Sequence, residues 1–189
     1  MQDKCRNVDI TLNYILPKNI FSKKFNDLFS INNFGKKHSG ISWTYIALKI
    51  ESLRFINKDY DCWFYRSFSD IGETAKLKED QVGKYIQVLI RLGLILAIKN
   101  PKKEDLTKNP GLKQLINSGF KRLPNKHIYF FKVLSTSDKI IEEAKLKAKD
   151  VNNWFEEKYQ TKKRSAKNRQ LRKIKEAGWF GKDTNSYKA

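Results

Sequence analysis

Between Lys78 and Gln87 the chain reads "KEDQVGKYIQ", and the residue types there suit recognition better than reaction. A glutamine amide holds a donor and an acceptor side by side and can pair with the N6 and N7 edge of adenine, while a lysine ammonium reaches guanine or a phosphate oxygen. Val82, Ile86 and Leu89, with Leu92 three residues further on, fall at helical spacing and form one apolar stripe. Off that stripe lie Lys78, Glu79, Asp80, Gln81, Lys84 and Gln87. Of these, Lys78, Asp80, Gln81, Lys84 and Gln87 are the candidate base- and phosphate-contacting residues. Glu79 and Asp80 also suit the positive end of a helix dipole. Gly83 is expected to let this helix approach a nucleic-acid backbone, at a cost of about 1 kcal/mol in helix stability. Tyr85, Val88 and Ile90, beside the stripe, are expected to face an N-terminal packing element.

Other chemistries find little support. "GKKHSG", Gly35 to Gly40, lacks the spacing and the preceding strand of a phosphate-binding loop. The two cysteines, Cys5 and Cys62, and the two histidines, His38 and His127, make no metal-ligand spacing. No His-x-His or His-Glu-x-x-His occurs, which weighs against metal-dependent nicking initiators. Glu142/Glu143 and Glu156/Glu157 are adjacent pairs that point apart on a helix and read as solvated surface. The expectation is a protein without catalytic residues, metal or cofactor, with reduced thiols, in the cytoplasm.

Charge narrows the partner. The 189 residues carry 39 Lys and Arg against 20 Asp and Glu, a formal +19. Such an excess favours a polyanion, nucleic acid before an anionic membrane surface. It is uneven: residues 1–60 carry +5, 61–100 only +1, 101–137 +6 and 138–189 +7. The nearly neutral middle is the part that must pack and read. Lys158 to Lys175 holds nine basic residues without an acid.

The elements that position these residues follow from periodicity. "VDITLNY" alternates, with Val8, Ile10, Leu12 and Tyr14 on one face of an expected strand that Pro17 ends. Ile20, Phe21, Phe25, Leu28 and Phe29 recur as in a helix, and "NNFGKKHSG" is expected to be a loop. From a Ser42 cap, Tyr45, Ile46, Leu48, Lys49, Ile50, Leu53 and Ile56 predict a helix. "NKDYD" breaks it and "CWFYRSF" predicts an aromatic strand. Ser69 is the expected cap of a short helix over Asp70 to Ala75. "KL" then turns the chain, Leu77 fills the corner, and Glu79 to Leu92 forms the second helix. Gly93 supplies its left-handed cap, and Leu94 to Lys99 leaves as a strand.

"FSDIGETAKLKEDQVGKYIQVLIRLGLI", closing on "LIRLGLI", resembles the winged helix-turn-helix domain of phage replisome organisers and plasmid replication initiators. The resemblance spans Ile41 to Leu134, with Trp43 to Ile56 in the place of the preceding helix. It implies an α+β, mainly helical domain and sequence-specific binding of double-stranded DNA, with a replisome or helicase-loading protein as a further partner. A transcriptional regulator with the same domain is the alternative, and a basic structural or RNA-binding protein the third. His127 to Leu134 is then the expected second wing strand. The long insertion before it carries Lys102, Lys103, Lys108, Lys121 and Arg122, holds a short helical stretch, "LKQLINSGF", and is expected to form an enlarged basic wing along the phosphate backbone.

After a Ser137 cap, Ile140, Ala144, Ala148, Val151, Phe155 and Tyr159 form a helical stripe that asks for the domain or a second subunit, so a homodimer is one expected partner. Beyond Tyr159 the apolar face thins to Ala166, Leu171 and Ile174. Lys162, Lys163, Arg164, Lys167 and Arg169 make the candidate phosphate-binding arm. No window approaches the length of a membrane span and the N-terminus holds no apolar leader, so no membrane association is expected. The expected organisation is a packing or dimerisation element at 1–39, the winged domain at 40–136 and a basic helix and tail at 137–189.

Overall fold

The structure, a computed structural model, describes residues 22–54, 60–118, 128–134 and 137–176, with the side chains of 128, 160–167 and 175–176 outside that description. The expected strand at Val8 to Tyr14 therefore lies outside the described residues, as do Ile20, Phe21 and Ile56.

The chain enters through α1 (Lys23–Leu28), capped where the Ser22 hydroxyl accepts the Phe25 N–H at 3.2 Å. Phe25, Leu28 and Phe29 are buried, as their spacing requires. The expected loop after it is helical instead: α2 (Ile31–Phe34), a 3-10 turn (Gly35–Lys37) and α3 (His38–Arg54) follow almost without break. The reason is local. Asn33 donates its amide to the carbonyls of Asp27 at 2.9 Å and Leu28 at 3.0 Å, satisfying the end of α1, and Phe34 buries. Helix α3 thus begins at His38, and Ser42 lies inside it rather than capping it.

Two left-handed residues, Asp61 and Cys62, turn the chain into β1 (Phe64–Ser67). Helix α4 (Phe68–Ala75) follows at once, capped by Ser67 and not by Ser69. Ser67 and Asp70 satisfy each other's backbone N–H groups at 3.0 and 3.1 Å, a reciprocal box that Ser69 cannot make. Lys76, left-handed at φ 55°, ends α4, and the half-buried Leu77 donates its N–H back to Gly72 at 2.9 Å. Helix α5 (Glu79–Leu92) has the expected bounds, and Gly93 caps it at φ 76°. Val82, Ile86, Leu89 and Leu92 are all buried, with Tyr85 and Val88 widening the stripe. Tyr85 faces α3 at Gly40, where a β-carbon would sit 2.5 Å from its ring.

Strands β2 (Ile95–Ile98) and β3 (Ile128–Val133) complete a three-stranded antiparallel sheet in the order β1-β3-β2. Tyr129, Phe131, Phe64 and Arg66 share the face turned to α3, and there Arg66 Nε meets the buried Glu51 of α3 at 2.5 Å. Tyr65, Phe130 and Ile98 share the other face. The protein is therefore α+β and mostly helical, with one small sheet among the described residues.

The insertion carries its expected helical stretch, in α7, but departs from the expected wing. Among its described residues there is no extended wing but two helices, α6 (Lys103–Lys108) and α7 (Pro110–Asn117). Leu112 and Leu115 of α7 pack with Trp63 and Phe130, and Leu106, Tyr60, Tyr65 and Ile98 gather around them. The outer face of the sheet is too apolar to stand in water, and α6 and α7 cover it.

Helix α8 (Asp138–Glu176) closes the description. The described chain divides into two compact units, Met1–Val151 and Asn152–Ala189. Within the first, α8 buries Ile141, Ala144, Ala148 and Val151; Ile140, expected to lead the stripe, is only half-buried because the true spacing is three, four and three. Lys24 reaches Asp138 of α8 at 3.2 Å. Within the second, the rings of Phe155 and Tyr159 lie 4.6 Å apart and the Lys158 ammonium sits 4.8 Å from the centre of the Trp154 ring.

Leu112 is fully buried on the outer face of the sheet. Leu112→Ala should therefore cost about 2–5 kcal/mol in urea unfolding; no loss would mean that α7 does not dock on the sheet.

Candidate nucleic-acid interface

Helix α5 presents to solvent the side opposite its buried stripe. Asp80, Lys84 and Gln87 line up there at spacings of four and three, and the exposed Arg91 continues the row by four more. The Lys84 ammonium bonds the Asp80 carboxylate at 3.0 Å. That hydrogen bond is the largest influence holding the Asp80 carboxyl below its usual range. The row is thus partly neutralised at its centre and ends on a cation.

Gln81 stands off this row, half-buried on the flank of the helix. Its Oε1 accepts the backbone N–H of Lys78 at 3.1 Å, closing the first turn where the lysine offers no capping oxygen. Lys78 itself is exposed at the cap position. In this arrangement the glutamine serves the helix, and one of the two amide atoms that a bidentate adenine contact needs is occupied.

Gly83 has a different role from the expected one. A β-carbon there would lie 2.9 Å from Cε2 of Phe68, the first residue of α4. Phe68 in turn stacks on Tyr129 of β3, ring centres 4.2 Å apart and planes 17° from parallel, and the Lys99 ammonium lies 5.7 Å from the Tyr129 ring centre. The missing side chain makes room for a neighbouring ring, so α5, α4 and the sheet lock at one point. Burial raises the Tyr129 hydroxyl's pKa above its ordinary value and does the same at Tyr85.

The insertion's cations stand elsewhere. Lys102 is exposed and caps α6, its N–H donating to Asp105 at 2.8 Å, while Lys103 and Lys108 are exposed along α6. Lys121 and Arg122 lie outside the described residues. In α8 the side chains of Lys162, Lys163, Arg164 and Lys167 also lie outside the description, and Arg169 is exposed. Pattern reading passed over Lys76, Arg91 and Lys99. Arg91 was available from the spacing of the row, whereas Lys76 and Lys99 become visible only through the left-handed turn and the ring on which each depends.

Among the described residues no three His, Cys, Asp or Glu side chains gather as metal ligands, and no helix is long and apolar enough to cross a membrane. No known family model matches the chain, nor does any curated protein or solved structure.

Two outcomes follow from this geometry. Gly83→Ala adds helix propensity worth about 1 kcal/mol, but it must displace a stacked ring, at about 1–3 kcal/mol for overpacking. The variant should be destabilised in the native chain and stabilised in a Phe68→Leu background; the same sign in both backgrounds would refute the contact. Lys84→Met should return the Asp80 carboxyl toward the ordinary range in a carbon-detected NMR titration. Because that carboxyl is depressed in the folded chain, the pair's contribution is present above the unfolded carboxylate pKa, about 4, and is lost as pH falls through the folded value. An unchanged Asp80 midpoint would mean that the pair does not persist in solution.

Proposed function

We propose that this chain binds double-stranded DNA sequence-specifically through a winged helix-turn-helix, and that it acts in replication as an initiator or organiser. The observation that carries the reading is connectivity: α3, β1, α4, α5 and β2 succeed one another and β3 follows after α6 and α7, with β3 between the other strands and a tight left-handed turn between α4 and α5. In helix-turn-helix proteins the second helix enters the major groove, and α5 carries Gln81, Lys84 and Gln87 in its first three turns, with Lys78 at its cap. The formal charge of +19 supports a polyanionic partner. The replication role rests on the likeness of "LIRLGLI" and its preceding helices to replisome organisers and plasmid initiators.

On this reading the helix changes its bonding when it meets DNA. Gln81 gives up the Lys78 N–H and turns both amide atoms to a base edge, while Lys78 and Arg91 bracket the phosphates on either side. Asp80 opposes the approach, and by holding Lys84 it restrains a cation that DNA would otherwise take. Lys102, Lys103 and Lys108 of α6, with the basic stretch of α8 after Tyr159, add phosphate contacts that position the protein without identifying sequence.

Filter binding across a salt series tests this. With about six to eight phosphates neutralised, log K should fall against log salt with a slope of about −5 to −7. Gln81→Ala should weaken a cognate duplex by about 1–3 kcal/mol and leave random duplex nearly unchanged. Asp80→Asn should tighten both. A slope near zero would overturn DNA binding, and equal losses on both duplexes with Gln81→Ala would remove α5 as the reader.

A further inference from the structure

Helix α3 is apolar on two opposite sides. One side is buried through Ile41, Tyr45 and Leu48, with the Tyr45 ring 5.4 Å from that of Phe25 on α1. The other carries Trp43, Ile46 and Ile50, and a helix apolar all round is ordinarily enclosed. Here Trp43 is 55% exposed, and Ile31 of α2, close by, is 59% exposed. Between them Phe25 and Phe29 of α1 and Ile46 of α3 line an open groove of about 630 Å³. Every residue lining it belongs to 25–46, so it is separate from α5 and the sheet.

We propose that this groove receives an amphipathic helix of a partner protein whose apolar stripe is flanked by Asp and Glu. A volume of that size, open on one side, suits several side chains from an elongated ligand better than an enclosed small molecule. Helix-in-groove recognition uses anchors spaced three or four residues apart, and an exposed tryptophan at the rim is the side chain most enriched where binding energy concentrates. Charge selects the partner. The polar residues of the lining, including Asn26, Ser39 and Ser42, bring no carboxylate into the groove. Outside the lining, Lys23 stands exposed one turn before Asn26 on α1 and Lys36 two residues before His38, against one exposed acid, Asp27, beside Asn26. A second copy would bring the same lysines and a further net charge of +19 against them, whereas acidic flanks complement both. This docking does not depend on DNA reading.

The test uses the full chain and three fluorescein-labelled helical peptides with one apolar stripe and acidic, neutral or basic flanks, read by anisotropy. The acidic peptide should bind at least about tenfold tighter than the basic one, and Trp43→Ser should weaken it by at least about tenfold. The pair Lys23→Glu and Lys36→Glu should abolish or invert the preference. Duplex DNA affinity and the thermal midpoint should stay unchanged in the Trp43→Ser variant, which separates this proposal from the function above. Absence of peptide binding, indifference to flank charge or indifference to Trp43 overturns the proposal. So does a dimer in sedimentation that Trp43→Ser abolishes, which would assign the groove to a second copy. Iodide quenching, compared between the native chain and Trp43→Phe, should find Trp43 open to solvent; a sheltered Trp43 in a monomer would assign the groove to the chain's own residues and also overturn it.

Discussion

Helix α5 approaches α3 so closely that position 40 accommodates only a hydrogen against the ring of Tyr85. That contact sets the seat of α5, and much else follows from it. With Tyr85 and Val88 buried beside Val82, Ile86, Leu89 and Leu92, more than a third of the helix surface is committed to packing, and Asp80, Lys84, Gln87 and Arg91 are left on the opposite side. The candidate reading face is the complement of the core face. A change that rotates α5 would alter both together. Lys147 of α8 reaches the end of α5 near Gly93, where a cation suits the negative end of the helix dipole.

The sheet serves as the second reference surface. On its inner face Arg66 meets Glu51 of α3, and Arg54 bonds the same carboxylate at 2.8 Å, so a buried acid is fully paired. Losing one partner of such a pair costs about 3–5 kcal/mol, because the remaining charge is stranded. On the outer face Trp63 and Phe130 bury under α6 and α7. The lysines of α6 consequently ride on a packed helical layer, which fixes their positions better than a solvated hairpin would. Lys132 and Asp61 add an ion pair between β3 and the turn before β1.

The placement of apolar residues also separates two surfaces by their chemistry. The exposed row of α5 is polar and charged, suited to a hydrated polyanion. The groove of α1 to α3 is apolar with a neutral lining, suited to another protein. No residue is shared between them. Occupation of one surface therefore leaves the other accessible.

Periodicity and cap chemistry made several elements legible before folding was considered. The bounds of α5, its Gly93 cap, the strand at Phe64 to Ser67 and the buried set Val82, Ile86, Leu89 and Leu92 follow from spacing alone, because a stripe at helical period can bury in only one way. The net charge and its segmental imbalance are likewise properties of the sequence. Side-chain bonding to nearby backbone and contacts between distant segments decided the rest. Ser67 displaces Ser69 as the cap because β1 delivers it in extended geometry beside Asp70. Asn33 converts an expected loop into helix by reaching the carbonyls of α1. Gly83, which in sequence looks like an opening toward DNA, answers to the ring of Phe68, itself fixed by Tyr129 across 61 residues of chain. The insertion folds onto the sheet because β1 and β3 together create an apolar outer face that neither strand possesses alone. For Gly83 and the insertion the deciding energy lies in a contact between distant segments, which local pattern cannot encode; for Ser67 and Asn33 it lies in a side-chain-to-backbone bond only three to six residues long.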